Sequence, residues 1–164
     1  MLWVVVVAFI LVGYTYRTEV REVGERVLAQ LMPGYAASRG RVVELSRGRG
    51  GEFPITTQVN GARVAMILDT GASAVMLTYD AAKAAGLPLE VLNYSVNLET
   101  ANGRTRAAPV TIDRLVIGNI VERSVPALVV PSNRLKTNLL GMTFLNRLES
   151  WQVKGDRLQL RAYP

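Results

Sequence analysis

Ile67-Leu68-Asp69-Thr70-Gly71-Ala72-Ser73 is the segment that decides how this chain folds. An apolar run ends by delivering a carboxylate straight into a turn of small residues. The apolar lead predicts a buried strand, which fixes Asp69 in space. Gly71 permits close backbone approach and offers an N–H to the carboxylate, and the Thr70 hydroxyl is placed to lock the turn. Ala72 is small and leaves room for a facing group. On its own, Asp-Thr-Gly is an ordinary turn in which Asp caps a neighbouring N–H, so its surroundings must carry the argument.

Working outward, Phe53 to Val59 alternates and ends at Asn60-Gly61, a strong hairpin signal. Arg63 to Leu68 is the returning strand. After the turn, Ala74 to Leu77 is a short strand, and Thr78 caps a helix through Ala85 with Asp80 in its first turn and Gly86 at its end. Further strands are predicted at Ser95–Thr100, Arg104–Ile117, Ile120–Leu128 and Val129–Val130, with Asn102-Gly103 as a tight turn. Leu139-Leu140-Gly141 leads into a short helix, Met142 to Leu148. Trp151–Val153 and Leu158–Leu160 flank the turn Lys154-Gly155-Asp156 as a last hairpin. Short β-branched runs between turn signals predict an all-β domain over residues 52–164.

The N-terminal third reads differently. Residues 1–16 carry no charge, and Trp3, Tyr14 and Tyr16 sit near the ends of the run, where interfacial aromatics belong. The run falls slightly short of the ~20 residues that span a bilayer. It lacks a basic n-region and a small-x-small cleavage site, which favours an uncleaved anchor over a signal peptide. Residues 17–34 are expected to form an amphipathic juxtamembrane helix: Val20, Val23, Val27, Leu28 and Leu31 fall at helical spacing, Glu22 and Arg26 pair, and Pro33-Gly34 stops it. Residues 35–51, with Arg39, Arg41, Arg47 and Arg49 among glycines, are expected to be a flexible, solvated linker open to self-cleavage. Arg17 and Arg21 follow the apolar run with nothing basic before it, so either the C-terminal domain is cytoplasmic or an upstream segment precedes the numbered start.

Composition excludes several chemistries. The 164-residue chain contains no Cys and no His. That removes thiol nucleophiles, Ser-His and Cys-His catalysis and most zinc sites. Ser73 lies in Gly-Ala-Ser-Ala, which is not a nucleophile elbow. Metal-ligand spacing and a phosphate-binding glycine loop are absent from the sequence. The net charge of +6 is scattered, without the basic stripe and interleaved aromatics of a nucleic-acid binder. No cofactor, metal or nucleic-acid partner is expected, and carboxylates remain the best candidates for catalysis.

In this context Leu68-Asp69-Thr70-Gly71-Ala72 resembles the active-site loop of retropepsin-like aspartic proteases. Leu139-Leu140-Gly141 before a helix resembles the apolar-apolar-Gly element packed beneath that loop. More closely, the chain is similar to bacterial membrane-anchored members facing the periplasm, through Tyr16-Arg17, Gln58-Val59-Asn60-Gly61, Thr100-Ala101-Asn102-Gly103 and Leu139-Leu140-Gly141-Met142, in family order. Members often carry His where this chain has Glu52. They often carry an additional upstream span with basic residues between the two, which would place the domain in the periplasm. The resemblance implies an acid-protease barrel behind an inner-membrane helix and a polypeptide substrate. It also implies Asp69 as the catalytic residue, with Thr70, Gly71 and Ala72 forming its loop. Thr100, Ala101, Asn102 and Gly103 would form a flap that closes over an extended peptide.

One carboxylate per chain then carries a consequence. Peptide hydrolysis by this route needs two carboxyl groups a few Å apart that hold one proton between them. Asp80, Asp113 and Asp156 lack the strand-Asp-Thr-Gly setting. The second acid must come from another copy, so a homodimer is expected, with Asp69 opposite Asp69. The alternatives are a non-catalytic dimerisation or binding module on a membrane, and an arginine-driven surface binder whose attachment collapses with salt.

Overall fold

The computed structural model describes residues 36–100 and 103–164. The expected anchor (1–16) and juxtamembrane helix (17–34) lie outside the described residues. Among the described residues, no helix is long and apolar enough to cross a membrane.

The strand pair next to the decisive turn forms for the reasons its sequence gives. In β3 (Pro54–Val59), Ile55, Thr57 and Val59 point inward, and the buried Thr57 hydroxyl donates to the Val64 carbonyl at 2.9 Å. Asn60 and Gly61 turn the chain with φ of 49° and 90°, the left-handed pair that a two-residue hairpin requires. β4 (Ala62–Leu68) returns in register, Val59 opposite Ala62 and Pro54 opposite Ile67. β5 (Val75–Leu77) is buried at every position because it lies between two other strands. The Thr78 side chain accepts from the Ala81 N–H at 3.2 Å and starts α1 (Tyr79–Ala84).

Two long strands follow. β6 (Val96–Thr100) and β7 (Gly103–Ile117) form an arm, and β7 pairs along its remaining length with β8 (Ile120–Val129). After β9 (Asn138–Leu140) and α2 (Met142–Leu145), β10 (Ser150–Lys154) and β11 (Arg157–Arg161) close the chain. The larger sheet runs β3-β4-β9-β5-β8-β7-β6, and β3 also pairs with β7 at Val59–Leu115. That additional pairing closes six strands into a barrel and leaves β6 projecting as the free arm. The barrel is filled by Ile55, Met66, Leu77, Ile112, Leu115, Leu140 and Phe144, all nearly or fully buried. Each contributes about 1.5–3 kcal/mol through removal from water.

The linker expected over residues 35–51 is corrected. β1 (Ala37–Arg39) and β2 (Val42–Ser46) are strands of a second sheet, ordered β1-β2-β11-β10. Val43 and Leu45 are buried in the main core at 0% and 2% exposure. Between them Glu44 faces outward, taking a hydrogen bond from Gln159 and pairing with Arg157 at 3.4 Å. The domain therefore begins well before residue 52. Smaller boundaries move too. Val129 ends β8 and forms no separate strand with Val130, β7 begins at Gly103, and α2 stops at Leu145 with Asn146 as its cap.

Candidate active site

Asp69 sits where β4 leaves the barrel. Its position is set by backbone bonds on either side: the Leu68 N–H donates to the Phe53 carbonyl at 3.0 Å, and the Asp69 N–H to the Leu140 carbonyl at 3.2 Å. The turn beyond folds back on the carboxylate. The Gly71 N–H donates to Asp69 Oδ1 at 2.9 Å, and the Ala72 N–H to the Asp69 carbonyl at 3.2 Å. Asp69 is half-buried, Thr70 and Gly71 are exposed, and Ala72 is buried. A methyl at Gly71 would lie 3.2 Å from Asp69 Oδ1, so the residue keeps space beside the acid.

Leu139, Leu140 and Gly141 lie directly beneath this loop. β9 inserts between β4 and β5, running parallel to β4 with Leu68 beside Leu140, and antiparallel to β5 with Met76 beside Leu139. Gly141 is compulsory here. A Cβ would stand 2.2 Å from the Ala74 carbonyl oxygen and 2.6 Å from that of Ala72. The first residues of α2 then grip the loop, with the Met142 N–H donating to the Ala72 carbonyl at 2.9 Å and the Thr143 N–H to that of Ser73 at 3.1 Å.

The candidate flap residues are placed in part. Thr100 ends β6 opposite Gly103 at the start of β7, while Ala101 and Asn102 lie outside the described residues. Leu98 on β6 packs against a small apolar cluster of Ala72, Met76, Ala107 and Val130 beside the loop. Its pair Thr105 shares that face, and Asn97, Glu99, Arg104 and Arg106 fall on the other. The arm thus turns an uncharged face toward the loop and its charges away.

At the far end of the loop, β7, β8 and the start of α2 line a cleft of about 520 Å³. Its walls include Ala74, Pro109, Thr111, Pro126, Leu128 and Thr143, and no charged side chain lines it. Among the described residues, no group of three or more acidic side chains is arranged to hold a metal. Asp156 stands in the β10–β11 turn, paired with Arg47 at 3.4 Å. Asp80 lies in the first turn of α1. The structure brings neither to Asp69 by any contact.

Two contributors escaped the sequence. The Asn138 side chain joins three elements, accepting from the Thr78 N–H at 2.8 Å and donating to the Ala65 carbonyl at 2.9 Å. The Thr143 hydroxyl accepts from the Val75 N–H at 2.9 Å and lies 3.3 Å from the Pro126 carbonyl. Both flank Leu139-Leu140-Gly141, and that adjacency was the one signal that pointed to them.

Comparison with known proteins agrees with this geometry. The family model described as gag-polyprotein putative aspartyl protease matches residues 55–147. An uncharacterized protein of a Sinorhizobium species is 41% identical over 98% of this chain and 71% of its own length. One from Rickettsia prowazekii is 34% identical over 97% of this chain and 68% of its own. The crystal structure of a retropepsin-like aspartic protease from Rickettsia conorii superposes with a TM-score of 0.68 at 32% identity, covering 77% of this chain and 95% of that one. The retroviral protease-like domain of Ddi1 from Leishmania major shares the fold, with a TM-score of 0.50 at 13% identity over 68% of this chain and 93% of that one. With Asp69 in the loop between β4 and β5, and Leu139-Leu140-Gly141 beneath it, this chain belongs to the gag-polyprotein aspartyl protease family and has the retropepsin-like fold.

Proposed function

We propose that the protein is an aspartic endopeptidase that works as a homodimer, each chain supplying Asp69 to one shared dyad. The observation that carries this reading is the setting of Asp69. It is a half-buried carboxylate, fixed by backbone bonds and beside exposed Thr70 and Gly71. In the dimer, one Asp69 takes a proton from a bridging water while its mate donates to the scissile carbonyl oxygen. Two carboxyl groups this close hold one proton between them, which supplies acid and base together. The tetrahedral diol collapses, and the leaving nitrogen takes the proton.

The hairpin tip from Thr100 to Gly103 serves as the flap. Its backbone pairs with an extended polypeptide, and the uncharged inner face of β6–β7 excludes water. Residues 1–16 anchor the chain in the inner membrane with the protease domain in the periplasm. The uncharged run with aromatics near its ends supports the anchor, and the likeness to membrane-anchored bacterial members supports the side.

The test uses full-length protein in detergent with a mixed peptide library. Asp69→Asn lowers cleavage by at least about a thousandfold while the circular-dichroism spectrum stays that of the parent. Mixing the variant with parent chains lowers activity as the square of the parent fraction, because mixed dimers lack one acid. Activity that fell only in direct proportion to that fraction would mean that one chain suffices, and the dyad reading would be lost.

A further inference from the structure

Resting on that reading, we infer that Thr143 is a positioning residue for Asp69, its hydroxyl splicing the first rung of the ladder on which the active-site loop ends. The loop has two ends to hold. The first is held by the Phe53 and Leu140 carbonyls through the N–H groups of Leu68 and Asp69. The second is Val75, the first residue of β5, which is fully buried.

β5 runs parallel to β8, with Val75 beside Ala127 and Leu77 beside Val129. The Val130 N–H donates to the Leu77 carbonyl at 2.9 Å, which fixes the phase of the ladder. Bonding residues recur at every second position along a parallel strand, and each directs its N–H at the residue preceding its partner. Val75 therefore addresses the Pro126 carbonyl. Thr143 stands at that rung, accepting from the Val75 N–H at 2.9 Å and donating to the Pro126 carbonyl at 3.3 Å. Its own N–H donates to the Ser73 carbonyl at 3.1 Å, so one residue grips the chain on both sides of Ala74.

The α2 turn that carries Thr143 is itself fastened to β8. Arg147 pairs with Glu122 at 3.0 Å and donates to the Arg123 carbonyl at 2.6 Å. β5, β8 and α2 thus meet at one hydroxyl. The anchors on Ala72 and Ser73 are backbone bonds that no near-isosteric substitution removes, whereas this one can be deleted by such a change. Deletion leaves a buried N–H short of its acceptor and frees the far end of the loop. A dyad tolerates misplacement of only a fraction of an ångström, so the loss falls on the chemical step rather than on peptide binding.

The experiment compares Thr143→Val and Thr143→Ser in the full chain by steady-state kinetics and by hydrogen exchange at the Val75 amide. Thr143→Val should lower kcat more than tenfold with KM within threefold, and speed Val75 exchange at least tenfold while Val64 stays protected. Thr143→Ser, which keeps the hydroxyl and drops the methyl, should return both to within threefold of the parent. Parent-like kcat and Val75 protection in Thr143→Val would overturn the inference, as would equal impairment of the two variants. If Thr143→Val fails to fold, the serine variant decides: parent-like kcat supports the splice, and a tenfold loss overturns it. A parent protein that cuts nothing would instead sink the protease reading, and the exchange measurement would then still judge the splice alone.

Discussion

The loop from Asp69 to Val75 and the loop from Arg47 to Glu52 are both tight, glycine-containing and joined by backbone bonds to a distant part of the chain, yet side chains take different shares in holding them. The first is held mainly by backbone bonds with Leu140, Met142 and Thr143, with the Thr143 hydroxyl at its far end and Gly141 pressed against two of its carbonyls. The second has backbone bonds too, from the Arg47 N–H to the Asp156 carbonyl at 2.8 Å and from the Gly48 N–H to the Glu52 carbonyl at 2.7 Å, and one side chain adds several more contacts. The Arg47 guanidinium stacks 4.5 Å from the centre of the Phe53 ring and donates to the Gly51 and Gly155 carbonyls at 2.7 and 3.1 Å. It also pairs with Asp156. A loop held by backbone has no slack and suits a group that must not move. A loop held by an arginine is more adjustable, since its strength depends on packing, charge and salt.

The largest expected effect breaks the first kind of hold. Gly141→Ala places a methyl inside contact distance of two backbone carbonyls that cannot yield, and should cost more than about 4 kcal/mol or prevent folding altogether. Urea unfolding of the variant measures it, and a cost below about 1 kcal/mol would show that the loop has slack after all. Arg47→Ala attacks the second hold and should cost about 1–2 kcal/mol, summing a cation–π contact with partly exposed charge-assisted bonds. Its kcat should stay within about threefold of the parent, because the barrel keeps Phe53 in place. A catalytic loss as large as that of Asp69→Asn would erase the distinction between the loops. The smallest effect sharpens it: Asp156→Asn should change stability by less than about 0.5 kcal/mol, since the Asp156 side chain is 91% exposed. Thermal melts at low and high salt would show whether the guanidinium works mainly through packing or through charge.

What the sequence disclosed follows the range over which each signal acts. The barrel was legible because its elements announce themselves locally. Asn60-Gly61 marks a hairpin, and Thr78 caps its helix. The apolar lead into Asp69 reads as a strand over a few residues. β2 was hidden because Arg39, Arg41, Arg47 and Arg49 dominate the composition around it, while only Val43 and Leu45 carry the buried alternation. Its partner is β11, with Val42 beside Arg161, a separation across which no local pattern reports. Leu139-Leu140-Gly141 was visible as a short pattern. Asn138 and Thr143 were not, because each matters only once strands distant in sequence have been brought together around its side chain.

The pairing of β2 with β11 also has a mechanical consequence. These strands run antiparallel, and the Ala162 N–H reaches the Arg41 carbonyl at 3.0 Å, so the end of β11 is clasped to the turn between β1 and β2. A pull applied through residue 36 would first peel β1 from β2 and then load the β2–β11 rungs. The Gly40 carbonyl also accepts from the Asn119 side chain in the turn between β7 and β8, and Val43 and Leu45 sit in the main core, so part of that load passes into the barrel at the β7–β8 turn.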